Sequence, residues 1–267
     1  MVKVTSGGET FYMDSNEKTN LDAIKGKVLK DWDMCFVVDG VEGSGKSTKT
    51  FQIAKYLSPN FSIEHICQNP QDFMEKIKRH NFLKQGDSIV LDEGFFINTR
   101  SSLTELNRQF LSILSECRQK NLFIFIVAPS FFDLDKNIAL WRSRGLFHIY
   151  HDKMERGYFR YYNYEKKKYL YISGKKFYNY SKAKWNFAGR FTKFMPIDEK
   201  EYRKRKLKAF ENRNPITRSG QRLTNQRDIL VRYLYQKCHV KQKDIGKMLG
   251  ITAEAVCTIN AGGVSLD

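Results

Sequence analysis

The chain has 267 residues, 41% of them hydrophobic, which is enough for one medium-sized domain core and a small second domain. No apolar run approaches the roughly 20 residues of a membrane span and no signal peptide is recognised, so the sequence predicts no membrane association. The net charge is +17, and the five scattered cysteines form no CxxC pair, which favours free thiols in a reducing cytoplasm.

The positive charge is concentrated in one part of the chain. Residues 1–150 carry 19 Lys and Arg against 18 Asp and Glu, and residues 223–267 carry 6 against 4. Residues 151–222 between them carry 21 against 7. An excess confined to one block predicts a polyanionic partner, with nucleic acid preferred to a membrane surface.

The first 30 residues are predicted to be an amino-terminal arm. Residues 1–20 are polar and contain the turn sequence Ser6–Gly8, which is typical of a frayed terminus. A short helix over Leu21–Leu29 then leads into the first core strand, at Met34–Asp39.

A glycine-rich loop follows this strand directly. Gly40-x4-Gly45-Lys46-Ser47 lies between a strand and a helix that runs to Leu57, which is the setting that a phosphate-binding Walker A loop requires. Glycines let successive backbone N–H groups point at phosphate oxygens, and the helix amino terminus adds positive potential. We expect Lys46 to reach the β- and γ-phosphates of ATP and Ser47 to hold Mg²⁺. The predicted nucleotide-binding residues are Gly40, Val41, Glu42, Gly43, Ser44, Gly45, Lys46, Ser47 and Thr48.

A second apolar strand, Ser88–Leu91, ends in two acidic residues, Asp92 and Glu93. This is the Walker B form, in which the aspartate completes the Mg²⁺ site and the adjacent glutamate activates the attacking water. The alternative interpretation is that Asp92 and Glu93 only solvate the end of a strand. The pair follows the Walker A loop with one helical segment between them, and this position favours a catalytic role.

The other segments of residues 31–150 alternate between strands and helices. This alternation predicts a three-layer α/β fold with a mainly parallel sheet, whose ligands bind at the carboxyl ends of the strands. The expected elements are an edge strand over Phe61–Cys67, helices over 70–79 and 102–120, a central strand over Leu122–Ala128, a short helix over 133–141 and a last strand over Leu146–Tyr150.

The basic block is also rich in aromatic residues. Tyrosines alternate with lysine and arginine over Tyr158–Tyr171, which predicts a small antiparallel β extension at 151–197 with a turn near Ser173–Gly174. A basic helix and a linker follow at 198–222. The tyrosines can pack the extension or stack on bases; we favour contact with DNA or another nucleic acid through 151–210.

The carboxyl-terminal residues 223–267 resemble a helix-turn-helix. A small residue follows Ile245, Gly250 forms the turn, and Val256 and Ile259 have the spacing of core positions. The second helix carries no positive side chain, so both DNA reading and protein contact remain possible roles.

The segment Arg118–Ser130, an arginine followed by a turn and an apolar strand, gives the core a family resemblance. With the two motifs above, it resembles additional-strand, catalytic-glutamate P-loop ATPases of the FtsK/HerA and viral DNA-packaging (Zot-like) type. This resemblance implies a γ-phosphate sensor at the strand end, where Ser130 is the match. It also implies a homo-oligomer, such as a ring, in which Arg118, Arg142 or Arg144 reaches a neighbour's nucleotide.

The sequence thus supports three hypotheses, with the first preferred. The first is a cytoplasmic, Mg²⁺-dependent ATPase acting on DNA, as a viral or plasmid-type packaging or translocation motor. The second is a nucleotide kinase, because the loop with Glu42 is similar to that of thymidylate-type kinases, although Asp92-Glu93 replaces their Asp-Arg pair. The third is an ATP-switched helix-turn-helix regulator.

Overall fold

Two long apolar runs fix the centre of the fold, because each forms a strand that is buried on both faces. The computed structural model describes residues 1–92, 105–153, 155–211 and 218–261. Its strands are β1 (Val2–Ser6), β2 (Glu9–Met13), β3 (Met34–Gly40), β4 (Ile66–Cys67), β5 (Ser88–Asp92), β6 (Phe123–Ala128), β7 (Gly145–Asp152), β8 (Glu155–Asn163) and β9 (Phe187–Arg190). Its α-helices are α1 (Ser15–Val28), α2 (Lys46–Leu57), α3 (Pro70–Lys78), α4 (Glu105–Glu116), α5 (Tyr164–Gly174), α6 (Glu199–Glu211), α7 (Arg218–Gln236), α8 (Gln242–Leu249) and α9 (Ala253–Ala261).

The main sheet has seven strands in the order β4-β5-β6-β3-β7-β8-β9. The strands from β4 to β7 are parallel, and β8 and β9 extend the sheet in antiparallel fashion. Every residue of β3 and β6 is buried, as expected for central parallel strands covered on both faces. The predicted α/β fold with its small antiparallel extension is therefore confirmed.

Alternate residues of each central strand face two separate cores. Cys35 and Val37 of β3 pack with α3, α4 and α5, whereas Phe36 and Val38 pack with α1, α2 and the β1–β2 hairpin. Because side chains on a strand point to opposite faces with a period of two, one apolar run supplies both cores. The result is the three-layer arrangement of helices, sheet and helices.

The amino-terminal segment is part of the fold, so the prediction of an arm or frayed terminus was wrong. Strands β1 and β2 form a hairpin whose alternate residues Val4, Phe11 and Met13 are buried under the sheet. The α1 helix begins at Ser15, capped by the Asp14 carboxylate, rather than near residue 21. The alternation of polar and apolar residues in these two segments is the sequence signal of a half-buried strand and accounts for the hairpin.

The second tyrosine-rich run is also different from the prediction, because it forms helix α5 and not a strand. The Asn163 side chain caps α5 by accepting a hydrogen bond from the Lys166 backbone N–H. Lys167, Leu170 and Tyr171 are buried, and their spacing of three and four residues is that of a helix face. Packing of this face against the core outweighs the strand propensity of tyrosine.

Lys167 illustrates how the basic block also contributes to the interior. Its ammonium donates hydrogen bonds to the carbonyls of Ala139 (2.5 Å) and Leu140 (3.1 Å). These carbonyls belong to a π-helix, Asn137–Arg142, which forms where an ordinary short helix was expected. Burial lowers the pKa of Lys167 to about 7. This lysine therefore stabilises a local irregularity and is not available to a polyanion.

A second, helical unit begins after Lys206. Val231, Ile245 and Val256, one residue from each of α7, α8 and α9, form its buried centre. A Cβ atom on Gly246 would lie 2.7 Å from the Ile251 carbonyl oxygen, which explains the small residue after Ile245. Gly250 ends α8 in the left-handed conformation. The helical nature of this part is as predicted, and DNA reading by α9 remains a prediction.

Within the described residues, no helix is long and apolar enough to cross a membrane.

An ion pair buried in the first unit gives a test of the fold. Lys49 and Glu17 are 2.5 Å apart with fully buried side chains, and Lys49 lies over the Phe159 ring. Burial raises the pKa of Glu17 and lowers the pKa of Lys49. We predict that Glu17→Gln lowers the free energy of unfolding by about 3–5 kcal/mol, because it leaves the Lys49 charge buried and unpaired. The three tryptophans all precede Lys206, so their fluorescence during urea unfolding reports on this unit.

Two further variants make this prediction specific. The double variant Glu17→Met with Lys49→Met should recover most of the stability, because a buried pair contributes little beyond an apolar replacement. Lys18→Met removes an exposed pair with Asp22 on the same helix and should leave the unfolding midpoint nearly unchanged. An equal decrease in the free energy of unfolding for Glu17→Gln and Lys18→Met would contradict the prediction.

Candidate nucleotide-binding site

The loop between β3 and α2 requires glycine at two positions. Gly40 has a φ of 144°, and a Cβ atom there would lie 2.1 Å from the Ile149 carbonyl oxygen of the neighbouring strand β7. Gly45 has a φ of 97° and precedes α2 in the left-handed conformation, without a side chain to cap the helix. The first N–H groups of α2 are therefore not capped by the residue before them, and such a helix end attracts anions.

Two polar side chains of the loop also indicate that it binds an anion such as a phosphate group. The Lys46 ammonium donates hydrogen bonds to the carbonyls of Gly40 (2.7 Å) and Val41 (2.9 Å), so its positive charge lies across the loop. Burial lowers the pKa of Lys46, while the nearby carboxylates of Asp39, Asp92 and Glu42 act in the opposite direction. The buried Ser44 hydroxyl oxygen has no hydrogen-bond partner among the described residues. A phosphate group would supply one.

The structure brings the loop and the second acidic strand into direct contact. The Ser47 hydroxyl donates a 2.9 Å hydrogen bond to Asp92 Oδ1 across 45 positions of sequence. Asp92 ends β5 and is only 1% exposed. A hydroxyl that donates its proton to a carboxylate keeps its lone pairs for a metal ion, and both oxygens are ligands that Mg²⁺ prefers. The residues present therefore fit a magnesium-bound triphosphate. Glu93, the predicted catalytic glutamate, lies outside the described residues.

Ser130, the predicted sensor, lies at the end of β6 beside the loop strand. Its hydroxyl accepts a 3.3 Å hydrogen bond from the Phe132 N–H and so caps a short 3-10 turn. The next backbone N–H, of Phe131, donates to Asp39 Oδ2 at 2.8 Å. Ser130 is thus placed near the loop, but its hydroxyl has a local structural partner.

Asp39, directly before the loop, is the centre of a polar cluster that sequence reasoning did not assign. Asp39 Oδ1 is 2.9 Å from His148 Nδ1, and the Tyr180 hydroxyl donates to Asp39 Oδ2. The Tyr180 ring is stacked on His148 with 3.7 Å between ring centres. Burial raises the pKa of Tyr180, which keeps its hydroxyl protonated and donating. An aspartate that ends an apolar run was a usable signal, but its partners come from distant parts of the chain.

Two side chains of the basic helix α6 also reach the site. The Tyr202 hydroxyl donates to Asp92 Oδ2, and the Lys206 ammonium lies 3.3 Å from the same oxygen. Burial raises the pKa of Tyr202, so it also stays a hydrogen-bond donor. From the sequence, this helix was predicted to contact only the nucleic acid. Nothing local in the sequence links residues 202 and 206 to position 92.

The candidate trans-acting arginines lie at the opposite edge of the sheet. Arg142 and Arg144 precede β7 and Arg118 precedes β6, whereas the loop follows the carboxyl end of the parallel strand β3. The Arg142 guanidinium pairs with Asp33 and donates to the Leu114 carbonyl at 2.8 Å. It is therefore occupied within its own chain. Arg144 lies over the Tyr164 ring, and Arg118 is exposed. A trans-acting role for any of them stays a prediction.

Most tyrosines of the basic block are structural. Tyr162 and Tyr171 are buried, and Tyr161 packs between Phe147 and Phe187. The aromatic side chains that remain exposed lie along α5 and the turn that follows it. We define the α5 surface as Trp141, Lys168, Tyr169, Lys176 and Phe177, in which Lys168 lies 4.1 Å over the Trp141 ring centre and Lys176 lies 5.3 Å over that of Phe177.

No protein-family model and no curated protein sequence matches this chain. Among solved structures, the chain is similar to the N-terminal domain of zonular occludens toxin from Neisseria meningitidis, with 19% identity and a TM-score of 0.42 over 64% of this chain and 98% of that domain. It is also similar to the genome packaging NTPase B204 of Sulfolobus turreted icosahedral virus 2 in complex with AMPPCP, with 16% identity and a TM-score of 0.36 over 51% of this chain and 94% of B204. Similarities of this size do not identify a family, and the function proposed below depends on the chain's own residues.

Proposed function

We propose that this chain is a Mg²⁺-dependent P-loop ATPase that acts on DNA. The observation that carries the proposal is the hydrogen bond from Ser47 to Asp92, made beneath a loop that only glycine can form at Gly40. A loop of this shape, a lysine across it and a hydroxyl–carboxylate pair below it are the groups that ATP hydrolysis requires.

Each residue has a defined part in the proposed reaction. The loop backbone and the amino terminus of α2 bind the phosphates, and Lys46 offsets the charge on the β- and γ-oxygens. Ser47 and Asp92 hold Mg²⁺, which neutralises charge on the phosphates when it is bound. Glu93 follows Asp92 directly and accepts the proton of the water that attacks the γ-phosphorus. Asp39, held by His148 and Tyr180, fixes the root of the loop.

The second part of the proposal concerns the process that ATP hydrolysis drives, which is movement of a nucleic acid. Of the described residues in 151–211, exposed cations outnumber exposed carboxylates, and the α5 surface adds exposed rings beside lysines. Positive side chains bind phosphates whatever the base sequence, and exposed rings stack on any base. Such sequence-tolerant binding suits a packaging or translocation motor of the viral or plasmid type. We infer that the chain works as a homo-oligomer, for which a ring is the expected form.

The first prediction concerns the chemistry. Glu93→Gln should lower kcat for ATP hydrolysis by about 100- to 10,000-fold while nucleotide still binds, because only the proton acceptor is removed. Lys46→Met should instead lose ATP binding, and Glu75→Gln, at an exposed carboxylate of α3, serves as the control. Phosphate release with and without DNA measures all four proteins.

The outcomes of this assay separate the proposed activity from its rivals. Stimulation of the wild type by DNA that is absent from Glu93→Gln supports the proposal. Transfer of phosphate to an added nucleoside monophosphate would replace it with a nucleotide kinase. Slow hydrolysis that DNA does not change, together with sequence-selective binding through residues 223–267, would favour the regulator.

The second prediction concerns the nucleic-acid contact. Phe177 is 69% exposed, and Phe177→Ala should weaken binding of a single-stranded oligonucleotide by about 1–3 kcal/mol through loss of stacking. Lys176→Ala should reduce the slope of log K against log salt by about 1, because one phosphate contact is lost. Fluorescence anisotropy over a series of salt concentrations measures both effects.

Tyr12 provides the matched control, since it is an exposed aromatic residue of β2, outside the basic block. Tyr12→Ala should leave the affinity and the salt slope unchanged. If Phe177→Ala binds as tightly as Tyr12→Ala does, the α5 surface is not the stacking surface. Affinity that varies strongly with base sequence would argue against the motor.

A further inference from the structure

Two glycines of the nucleotide loop lie against side chains of the antiparallel extension of the sheet. A Cβ atom on Gly45 would lie 3.2 Å from two ring carbons of Phe191, the residue directly after β9. A Cβ atom on Gly43 would lie 3.7 Å from Nη2 of Arg156, the second residue of β8. The extension therefore places an aromatic ring at the last glycine of the loop and a guanidinium at the middle one.

The topology of the sheet explains why Arg156 lies beside the loop. Strand β7 is parallel to β3, and Ile149 is paired with Gly40, where the loop begins. β7 then continues to Asp152, and the chain returns antiparallel in β8 from Glu155. The start of β8 thus lies at the carboxyl edge of the parallel strands, where the loop also lies. The arginines that the sequence predicted to act in trans lie at the opposite edge.

A β-bulge fixes the backbone that carries Arg156. The pairing of β7 with β8 shifts so that two residues of β8, Arg156 and Gly157, lie opposite the one residue of β7 between Tyr150 and Asp152. Gly157 has a φ of 102°, and a Cβ atom there would lie 2.7 Å from the Phe191 carbonyl oxygen, so a side chain would clash. Bulges of this kind change the direction of a side chain and are frequent next to active sites.

The charge of Arg156 is not used by the fold. Its side chain is exposed, and among the described residues it has no hydrogen-bond or ion-pair partner. The neighbouring carboxylate, Glu155, lies 3.8 Å from Arg190 instead. Glu42, the carboxylate of the loop, forms no ion pair with Arg156 in the part of the chain that the structure describes. The planar fork of donors on a guanidinium matches the oxygens of a phosphate group, so Arg156 is available to an anion bound in the loop.

We propose that Arg156 is a nucleotide-binding residue, which donates hydrogen bonds to the phosphates of the triphosphate held in the loop of its own chain. This inference rests on the proposed function, because it names a further ligand of the same site. The contact needs no second subunit, in contrast to the trans-acting role predicted for Arg118, Arg142 or Arg144. Together with Lys46, Arg156 gives the site two positive side chains to offset the charge of the phosphates.

The affinity for nucleotide provides the first test. In the presence of Mg²⁺, Arg156→Met should bind a fluorescent, nonhydrolysable ATP analogue about 10- to 100-fold more weakly than the wild type, because charge-assisted hydrogen bonds are lost. Arg156→Lys keeps the charge but not the planar fork and should bind with intermediate affinity. Lys153→Met removes an exposed charge of the same β7–β8 connection and, as the matched control, should change the affinity little.

Chemical modification of arginine provides a readout that does not depend on activity. Phenylglyoxal reacts with exposed guanidinium groups, and mass spectrometry of the digested protein measures the rate of modification at each arginine. The ATP analogue with Mg²⁺ should slow modification of Arg156 several-fold, whereas adenosine, which has no phosphate, should not. Arg190, which is exposed on β9, serves as the internal reference. This experiment uses the wild type, so its result does not depend on how a variant folds.

A variant of the loop carboxylate separates a phosphate contact from an indirect effect through Glu42. In the Glu42→Gln background, Arg156→Met should weaken binding of the analogue by the same factor as it does in the wild type. Equal affinities of Glu42→Gln with and without Arg156→Met would mean that the arginine acts only on the loop carboxylate. That result would overturn the proposed contact with the phosphates.

The results distinguish failure of the Arg156 contact from failure of the proposed function. Equal affinity of Arg156→Met and the wild type for the analogue would overturn the role of Arg156 and leave the ATPase standing. Modification of Arg156 at the same rate with and without the analogue would do the same. Absence of analogue binding in the wild type would overturn the proposed function itself.

Discussion

Two buried carboxylates at the carboxyl edge of the sheet, Asp39 and Asp92, impose the constraint on which the arrangement of this protein depends. A buried carboxylate is unfavourable unless several donors satisfy it, and each of these follows a run of three or more apolar residues in its strand. Their donors come from distant segments of the first unit. Ser47 belongs to the loop helix, Phe131 to the turn after β6, and Tyr180 and Tyr202 to the basic block.

This requirement explains why the basic block is not a separate appendage. Tyr180 and Tyr202 carry their hydroxyl groups to the two carboxylates, and burial keeps both phenols protonated by raising the pKa of each. The same segments expose many of their lysines and arginines to solvent. One stretch of chain thus contributes hydrogen-bond donors to the candidate nucleotide site and positive charge to the surface. The basic block therefore connects the proposed ATP hydrolysis physically with the proposed nucleic-acid binding.

Other positively charged side chains stabilise the fold and are not exposed to a nucleic acid. Arg142 satisfies Asp33 and a helix carbonyl at the amino edge of the sheet, and Lys49 pairs with Glu17 beneath α2. In a chain with a net charge of +17, a positive side chain is therefore not by itself a sign of a nucleic-acid contact. The exposure of a side chain separates residues that can contact a nucleic acid from residues that stabilise the fold. Exposure is a property of the tertiary structure.

The sequence alone determined the parts of this protein that depend on local rules. Continuous apolar runs specified the two central strands, and glycine spacing specified the loop, because only glycine tolerates the backbone conformations at Gly40 and Gly45. The acidic strand end at Asp92 was also recognisable. The alternation in the first 30 residues was likewise a local signal for the β1–β2 hairpin. Only the tertiary structure decided that the run around Lys167 is helical, since packing outweighs propensity there. It also decided which side chains meet Asp39 and Asp92, because pairs 110 or 141 residues apart leave no local pattern for sequence analysis to detect.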